Sequence, residues 1–238
     1  MTDWRNTMAL PKIKQPIFEL EIPSTGQKIR YRPFTVAEEK ILLVTKESDD
    51  VKDMVNAYKA IVNNCCLDSI DVDKLCSFDL EYFFLNIRAK SVSNIIAARI
   101  KDEDDGQTYD VEIDLDKLIV SKTKAEKLIK LTDDISVLMN YPTFDTIAKV
   151  GKLDESSQML STMIACIEQI YQGEEVFETS EYSRKDMEEF VLSMGVKELQ
   201  KIKEFFDGMP KVYAEVKYKT KDGAEKMIVL EGIQSFFD

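Results

Sequence analysis

The sequence predicts an α+β fold, a mostly helical body carrying three β-hairpins (N-terminal, central and C-terminal). Three observations predict it. Apolar residues recur at helical spacing through much of the chain. Short period-two runs come in pairs around Gly26, Gly106 and Gly223, as hairpin strands do. One segment, Phe78 to Val92, is apolar nearly all round, which places it inside the protein or between the protein and a partner.

Residues 1–13 are polar and irregular and read as a flexible arm. Residues 14–238 read as a single α+β domain, or as two subdomains parting near 120–152. The run Ile17 to Ile22 alternates apolar and polar, Pro23 to Gly26 is a turn, and Lys28 to Arg32 alternates again. That hairpin can bury Phe18, Leu20, Ile22, Ile29 and Tyr31, and Pro33 ends it because proline cannot donate to a ladder. Thr35 and Glu38 fit a capping box for a helix reaching about Lys46. A second helix from Asp50 to Asn64 aligns Val51, Met54, Val55, Tyr58, Ile61 and Val62.

Ser77 is the expected N-cap of the central helix, with Asp79 and Glu81 in the first turn, where the helix dipole favours negative charge. Leu80, Phe83, Phe84 and Ile87 should face the core, leaving Arg88 and Lys90 at its exit to meet acidic neighbours. Ser93 to Ile100, the acidic loop Lys101 to Gly106 and the strand Tyr109 to Leu115 make the central hairpin. The lysines between Lys122 and Lys130 are spaced like the solvated side of a helix. Ile135 to Tyr141 adds a strand, Phe144 to Val150 a short helix, and Glu155 to Tyr171 a longer one with Met159, Met163, Ile167 and Ile170 inward.

Glu181 to Gly195 and Val196 to Phe206 read as two more helices, capped by Ser183 and parted at Gly195. Met209-Pro210 stops the second. Val212 to Lys217 and Met227 to Leu230 form the last hairpin around Lys221-Asp222-Gly223, a strong turn signal. The tail, with Phe236 and Phe237, either docks on the body or offers itself to a partner.

The chemistry the residues allow is narrow. A net charge of -12 repels phosphate backbones, so no nucleic-acid partner is expected. The chain has no histidine, which removes the commonest general base and metal ligand. Cys65, Cys66, Cys76 and Cys166 have no CxxC spacing and read as buried free thiols of a reducing compartment. The start, Met1 to Arg5, lacks a signal peptide's apolar region. No apolar run reaches the ~18–20 residues of a membrane span, so a soluble protein with no membrane partner is expected.

The acidic loop fails as a calcium loop. With Gly106 at the glycine position, Glu103, Asp105 and Glu112 fall at ligand positions, but Lys101 takes the first. No catalytic, cofactor-binding or metal-binding residue is therefore expected, no cofactor, and no enzyme. The alternative is a cytosolic carboxylate-based metal-binding protein or small enzyme, built on Asp102, Glu103, Asp104 and Asp105.

An ordered set of motifs carries a resemblance. Phe18-Glu19-Leu20, Ile22-Pro23-Ser24-Thr25-Gly26, Tyr31-Arg32-Pro33-Phe34 and Glu38 to Leu43 belong to it. So do Phe78 to Val92, Tyr141-Pro142-Thr143-Phe144-Asp145, Met209-Pro210 and Leu230 to Phe237. From about Leu10 to Phe237 the chain resembles the baseplate hub assembly proteins of T-even-type bacteriophages.

The resemblance implies a non-enzymatic protein that helps build the central hub of a contractile tail, as a chaperone or as a minor hub component. Its partners would be phage baseplate hub proteins. It would work in the host cytoplasm during assembly, whether or not it stays in the virion tail baseplate. Some members hold Cys-x-x-Cys-Gly in the last hairpin as a metal-clipped turn. Here Tyr218 to Gly223 carries no cysteine, so no metal is implied. Partner contacts are expected on the first hairpin and the tail, at Tyr31, Phe34, Phe236 and Phe237.

Overall fold

The computed structural model describes residues 13–46, 50–122, 126–151 and 153–236. The expected arm, 1–13, thus lies outside them except for Ile13. Strands β1 (Phe18–Glu21) and β2 (Lys28–Tyr31) pair antiparallel around Gly26, whose φ of 69° suits a residue without Cβ. An isolated bridge from Tyr31 to Cys66 continues this pairing on the far side of β2. Helices α1 (Val36–Lys46), α2 (Val51–Cys65) and α3 (Ser77–Ser91) follow. Next come β3 (Ile95–Lys101) and β4 (Thr108–Asp114), the central hairpin.

The chain then runs through β5 (Ile119–Val120), β6 (Leu128–Lys130), β7 (Ile135–Met139), α4 (Phe144–Val150), α5 (Glu155–Cys166), β8 (Ile167–Gln172) and β9 (Glu175–Glu178). Helices α6 (Arg184–Leu192) and α7 (Val196–Asp207) lead to the last hairpin, β10 (Val212–Lys219) and β11 (Glu225–Glu231). A 3-10 turn, Ile233–Phe236, closes the described chain.

Seven α-helices and four sheets among the described residues correct the expectation of a mostly helical body with three hairpins. The class α+β stands, but a four-stranded antiparallel sheet, β6-β7-β8-β9, was not foreseen, and β5 adds a third strand to the last hairpin. The reason lies at residues 167–172. Ile167 and Ile170 are three apart, so they satisfy a helical period, yet Ile167–Gln172 is a strand whose Ile170 pairs with Val137 and Phe177. Short apolar runs fit both periods, and tertiary pairing decides between them. Likewise residues 128–130, expected on a helix, are an edge strand paired with β7, while 123–125 lie outside the described residues.

Helix α3 is the hub of the packing. Leu80, Phe83, Phe84 and Ile87 enter a cluster with Leu20, Ile22, Ile29 and Tyr31 of the first hairpin and Tyr58, Ile61 and Val62 of α2. Phe78, Leu85 and Ala89 point into a second, larger cluster built from β3, β4, the four-stranded sheet, α5 to α7 and β10. Burying one such aromatic or aliphatic side chain contributes roughly 1.5–3 kcal/mol. Two opposed apolar faces explain why this helix has no polar side.

Its start differs from expectation. Cys76, not Ser77, is the N-cap, with no side-chain cap bond. Ser77 N–H instead donates to the Pro142 carbonyl at 2.9 Å, beside a bridge between Cys76 and Thr143. Tertiary partners have replaced the local cap. The buried Asp79 carboxylate accepts the Ser24 amide at 2.9 Å and the Ser24 hydroxyl, which ties the turn of the first hairpin to α3.

Candidate contact surface

Pro33 ends β2 and sends the chain into α1, and one charged group fixes that corner. The buried Glu38 carboxylate accepts from Arg32 Nη2 at 2.9 Å, from the Thr35 amide at 2.7 Å and from the Thr35 hydroxyl. Half of the expected capping box is thus present; the Thr35 oxygen accepts from Ala37 N rather than from Glu38 N. Arg32 also donates to the carbonyls of Pro33 and Asn64, at 2.9 and 3.0 Å, so α2 is bound into the same knot.

The Arg32 hydrogen bond pulls the Glu38 carboxyl down from 4.5 to about 2. A depressed carboxyl stabilises the fold above its unfolded value and loses that contribution as pH falls toward 2. Glu38→Gln should therefore cost about 2–3 kcal/mol at pH 7 and much less at pH 3, read as urea midpoints at the two pH values.

With its inner side so held, α1 turns the other side out. Ile41 and Leu42 lean inward, whereas Val36, Leu43 and Val44 are 79%, 63% and 62% exposed. Positions 36, 43 and 44 share one side of a 3.6-residue helix. The Phe34 amide donates to Ser91 Oγ at 2.8 Å, which holds the end of α3, where Val92 is also exposed, against the start of α1. The result is an apolar stripe among described residues, with Lys40 within it.

The residues expected to touch a partner lie elsewhere. Tyr31 is buried with its ring edge-on to Phe83 at 5.6 Å, and burial pushes its hydroxyl up to about 12. Phe34 and Phe236 are buried too, and Phe237 lies outside the described residues. In this conformation Tyr31, Phe34 and Phe236 present no surface. A shallow apolar groove, about 320 Å³, opens instead between the four-stranded sheet and α6, lined by Ile135, Ile170, Phe177, Tyr182, Met187 and Phe190. Gly173, at φ 59°, makes the tight turn of the β8–β9 hairpin that forms one wall, and a glycine between two short apolar runs was the one local signal for it.

The acidic loop is a clip. Asp102 is buried and accepts from Lys226 Nζ at 2.7 Å, from the Tyr218 hydroxyl at 2.8 Å and from the Asp104 amide. Asp104 shares the same lysine at 2.8 Å, and Asp105 accepts the Tyr109 hydroxyl at 2.6 Å. Lys221 closes the lock, its amide bonding the Tyr109 hydroxyl and its ammonium Gln107. The central and C-terminal hairpins are joined through their turns in this way.

Lys226 and Tyr218 hold Asp102 well below the ordinary carboxylate range. An ammonium group thus sits where a metal reading of these carboxylates would put the ion, and no cluster of metal-ligating side chains occurs among the described residues. Calcium or magnesium should leave the melting temperature unchanged. An ion at 100 times its dissociation constant would stabilise by about 2.7 kcal/mol, so a calorimetric scan separates the two outcomes.

The cysteines are free thiols, with Cys65 and Cys166 buried and Cys66 and Cys76 partly so. Burial raises Cys65 and Cys166 to about 12 and Cys76 to about 11. Thiols held that high are poor nucleophiles at neutral pH. Among the described residues no helix is long and apolar enough to cross a membrane.

Residues 15–238 match one family model, described as "T4 bacteriophage base plate protein". No curated protein and no solved structure matches the chain.

Proposed function

The chain belongs to the T4 bacteriophage base plate protein family, and from that premise we propose that it is a non-enzymatic assembly protein of the baseplate hub. Its partners are other baseplate proteins, the hub proteins foremost. It meets them in the host cytoplasm during assembly, at what becomes the baseplate of the virion tail. The observation that carries this reading is the outward apolar stripe of α1, Val36, Leu43 and Val44, on a corner that Arg32 and Glu38 hold rigid. Exposed apolar area on a charged protein favours a protein partner, and a fixed backbone lowers the cost of ordering on binding.

The mechanism is stoichiometric. The stripe covers apolar surface of a hub subunit until the proper neighbour replaces it, or sets the angle at which that neighbour arrives. Co-expression with the phage hub proteins and size-exclusion chromatography test it. The wild-type chain should co-elute with a hub protein at micromolar concentration. A Leu43→Glu, Val44→Glu double variant should melt as the wild type does and elute alone. If no hub protein co-elutes with the wild type, or the variant still binds, the assignment fails.

A further inference from the structure

The seam between the two apolar clusters carries a group the fold does not satisfy. On the helical wheel of α3, Glu81 and Arg88 lie together between the Phe84 side and the Leu85 side. Glu81 is buried, and its Oε1 has no hydrogen-bond partner among the described residues. The C-terminal turn spans both clusters, because Ile233 packs in the cluster of Phe83 and Phe84 while Phe236, fully buried, packs in the cluster of Phe78 and Leu85, and Glu231, just before the turn, lies near enough to Glu81 to act on its charge. The turn hangs from β11 through Gly232, whose φ of 83° is left-handed. Its own bonds are local, Ser235 N to the Gly232 carbonyl at 3.0 Å and Ser235 Oγ to the Glu231 carbonyl at 2.6 Å.

We propose that residues 232–236 form a releasable strap, seated across α3 while Glu81 is neutral and opening about Gly232 when Glu81 ionises, which frees Phe236 and uncovers the apolar slot it fills. The slot's occupant is thus this chain's own tail. If the assembly reading above is right, opening would deliver Phe236 to a hub subunit; the strap itself does not depend on that.

The electrostatics supply the direction. Burial, with a smaller contribution from Glu231, raises the Glu81 carboxyl from 4.5 to about 8. The charged groups that face it are few. Glu231 ends β11 and is itself paired with Lys211 at 2.8 Å. Arg88 lies seven residues along the seam, about 10 Å away by helical rise, too far for an ion pair, and it donates to the Ser93 carbonyl instead. The strap residues 233–236 carry no charge. A carboxyl raised in the closed form favours closure most below its open-state value, and that preference is lost as pH rises toward 8.

Hydrogen exchange on the full chain between pH 5 and pH 8, corrected for intrinsic rates, tests this without any partner. In the wild type the opening constant of the 233–236 amides should rise, approaching tenfold per pH unit, and stay well above that of amides in the middle of α2, whose exchange requires global unfolding. In Glu81→Gln the strap should be flat and closed throughout. Phe236→Ala should open the strap at every pH and leave α2 protected. A flat wild-type profile, a slope that survives in Glu81→Gln, or equal opening constants in strap and α2 would each overturn the strap. None of these results bears on co-elution with hub proteins, so the two readings fail separately.

Discussion

Phe83→Ala lowers the free energy of unfolding by about 3–5 kcal/mol, measured by urea denaturation at neutral pH. Phe83 is fully buried and meets Tyr31 edge-on, with Leu80, Phe84 and Ile87 beside it on the same face of α3. Truncation there leaves a cavity walled by two helices and a hairpin tied to them, so the surroundings cannot collapse into it. Against a typical total of about 5–15 kcal/mol, the loss is a large share. Leu85→Ala, on the opposite face, should cost about 2–5 kcal/mol through the other cluster. A loss below about 1 kcal/mol for Phe83→Ala would remove α3 from the centre of the fold.

Glu81→Gln has the opposite sign. At pH 8 it should stabilise the chain by about 3–4 kcal/mol, because glutamine mimics the neutral acid that the buried site prefers. The sign follows from linkage. The folded-state carboxyl, at about 8, lies above its ordinary 4.5, so the wild type is favoured below about pH 4.5 and loses stability as pH rises toward 8. The variant's advantage should therefore be near zero at pH 4.5 and grow through neutral pH. Urea midpoints at pH 4.5, 6 and 8 read it directly, and an advantage independent of pH would mean that the glutamate does not titrate inside the fold.

Much of the fold was legible in the residues, for local reasons. The three hairpins announced themselves by alternation and by Gly26, Gly106 and Gly223, all of which adopt positive φ. Helix α3 was legible because an all-round apolar helix has few places to be. Ser183 caps α6 with a full capping box, since Asp186 returns the bond. The strand β8 was not legible, because Ile167 and Ile170 suit two periods and only pairing with β7 and β9 selects one. Met159, expected inward, is 40% exposed in the first half of α5, whereas Met163, one turn further on, is buried.

The candidate surface was harder to read for a related reason. Ile41, Leu42, Leu43 and Val44 are four apolar residues in a row, so periodicity cannot say which pair looks outward. Packing of Leu42 against the α3 cluster and the Glu38–Arg32 knot settle it. Tyr31, Phe34 and Phe236 look like surface anchors in a list of aromatics, yet each fills a cluster. The acidic loop showed its charge but not its partner, because Lys226 lies more than a hundred residues away in the chain.

By itself, then, the amino-acid sequence determined the α+β class, the hairpin turns, the central apolar helix and the family resemblance. Each rests on local spacing or on an ordered string of residues. The tertiary structure alone decided that α3 divides two cores, that residues 128–178 contribute a four-stranded sheet, and that the carboxylates of the central loop answer to a lysine of the last hairpin. It also showed Glu81 buried, with its Oε1 unpartnered among the described residues. These are contacts between residues far apart in sequence, and their free energy depends on burial and partners that no window of the chain contains.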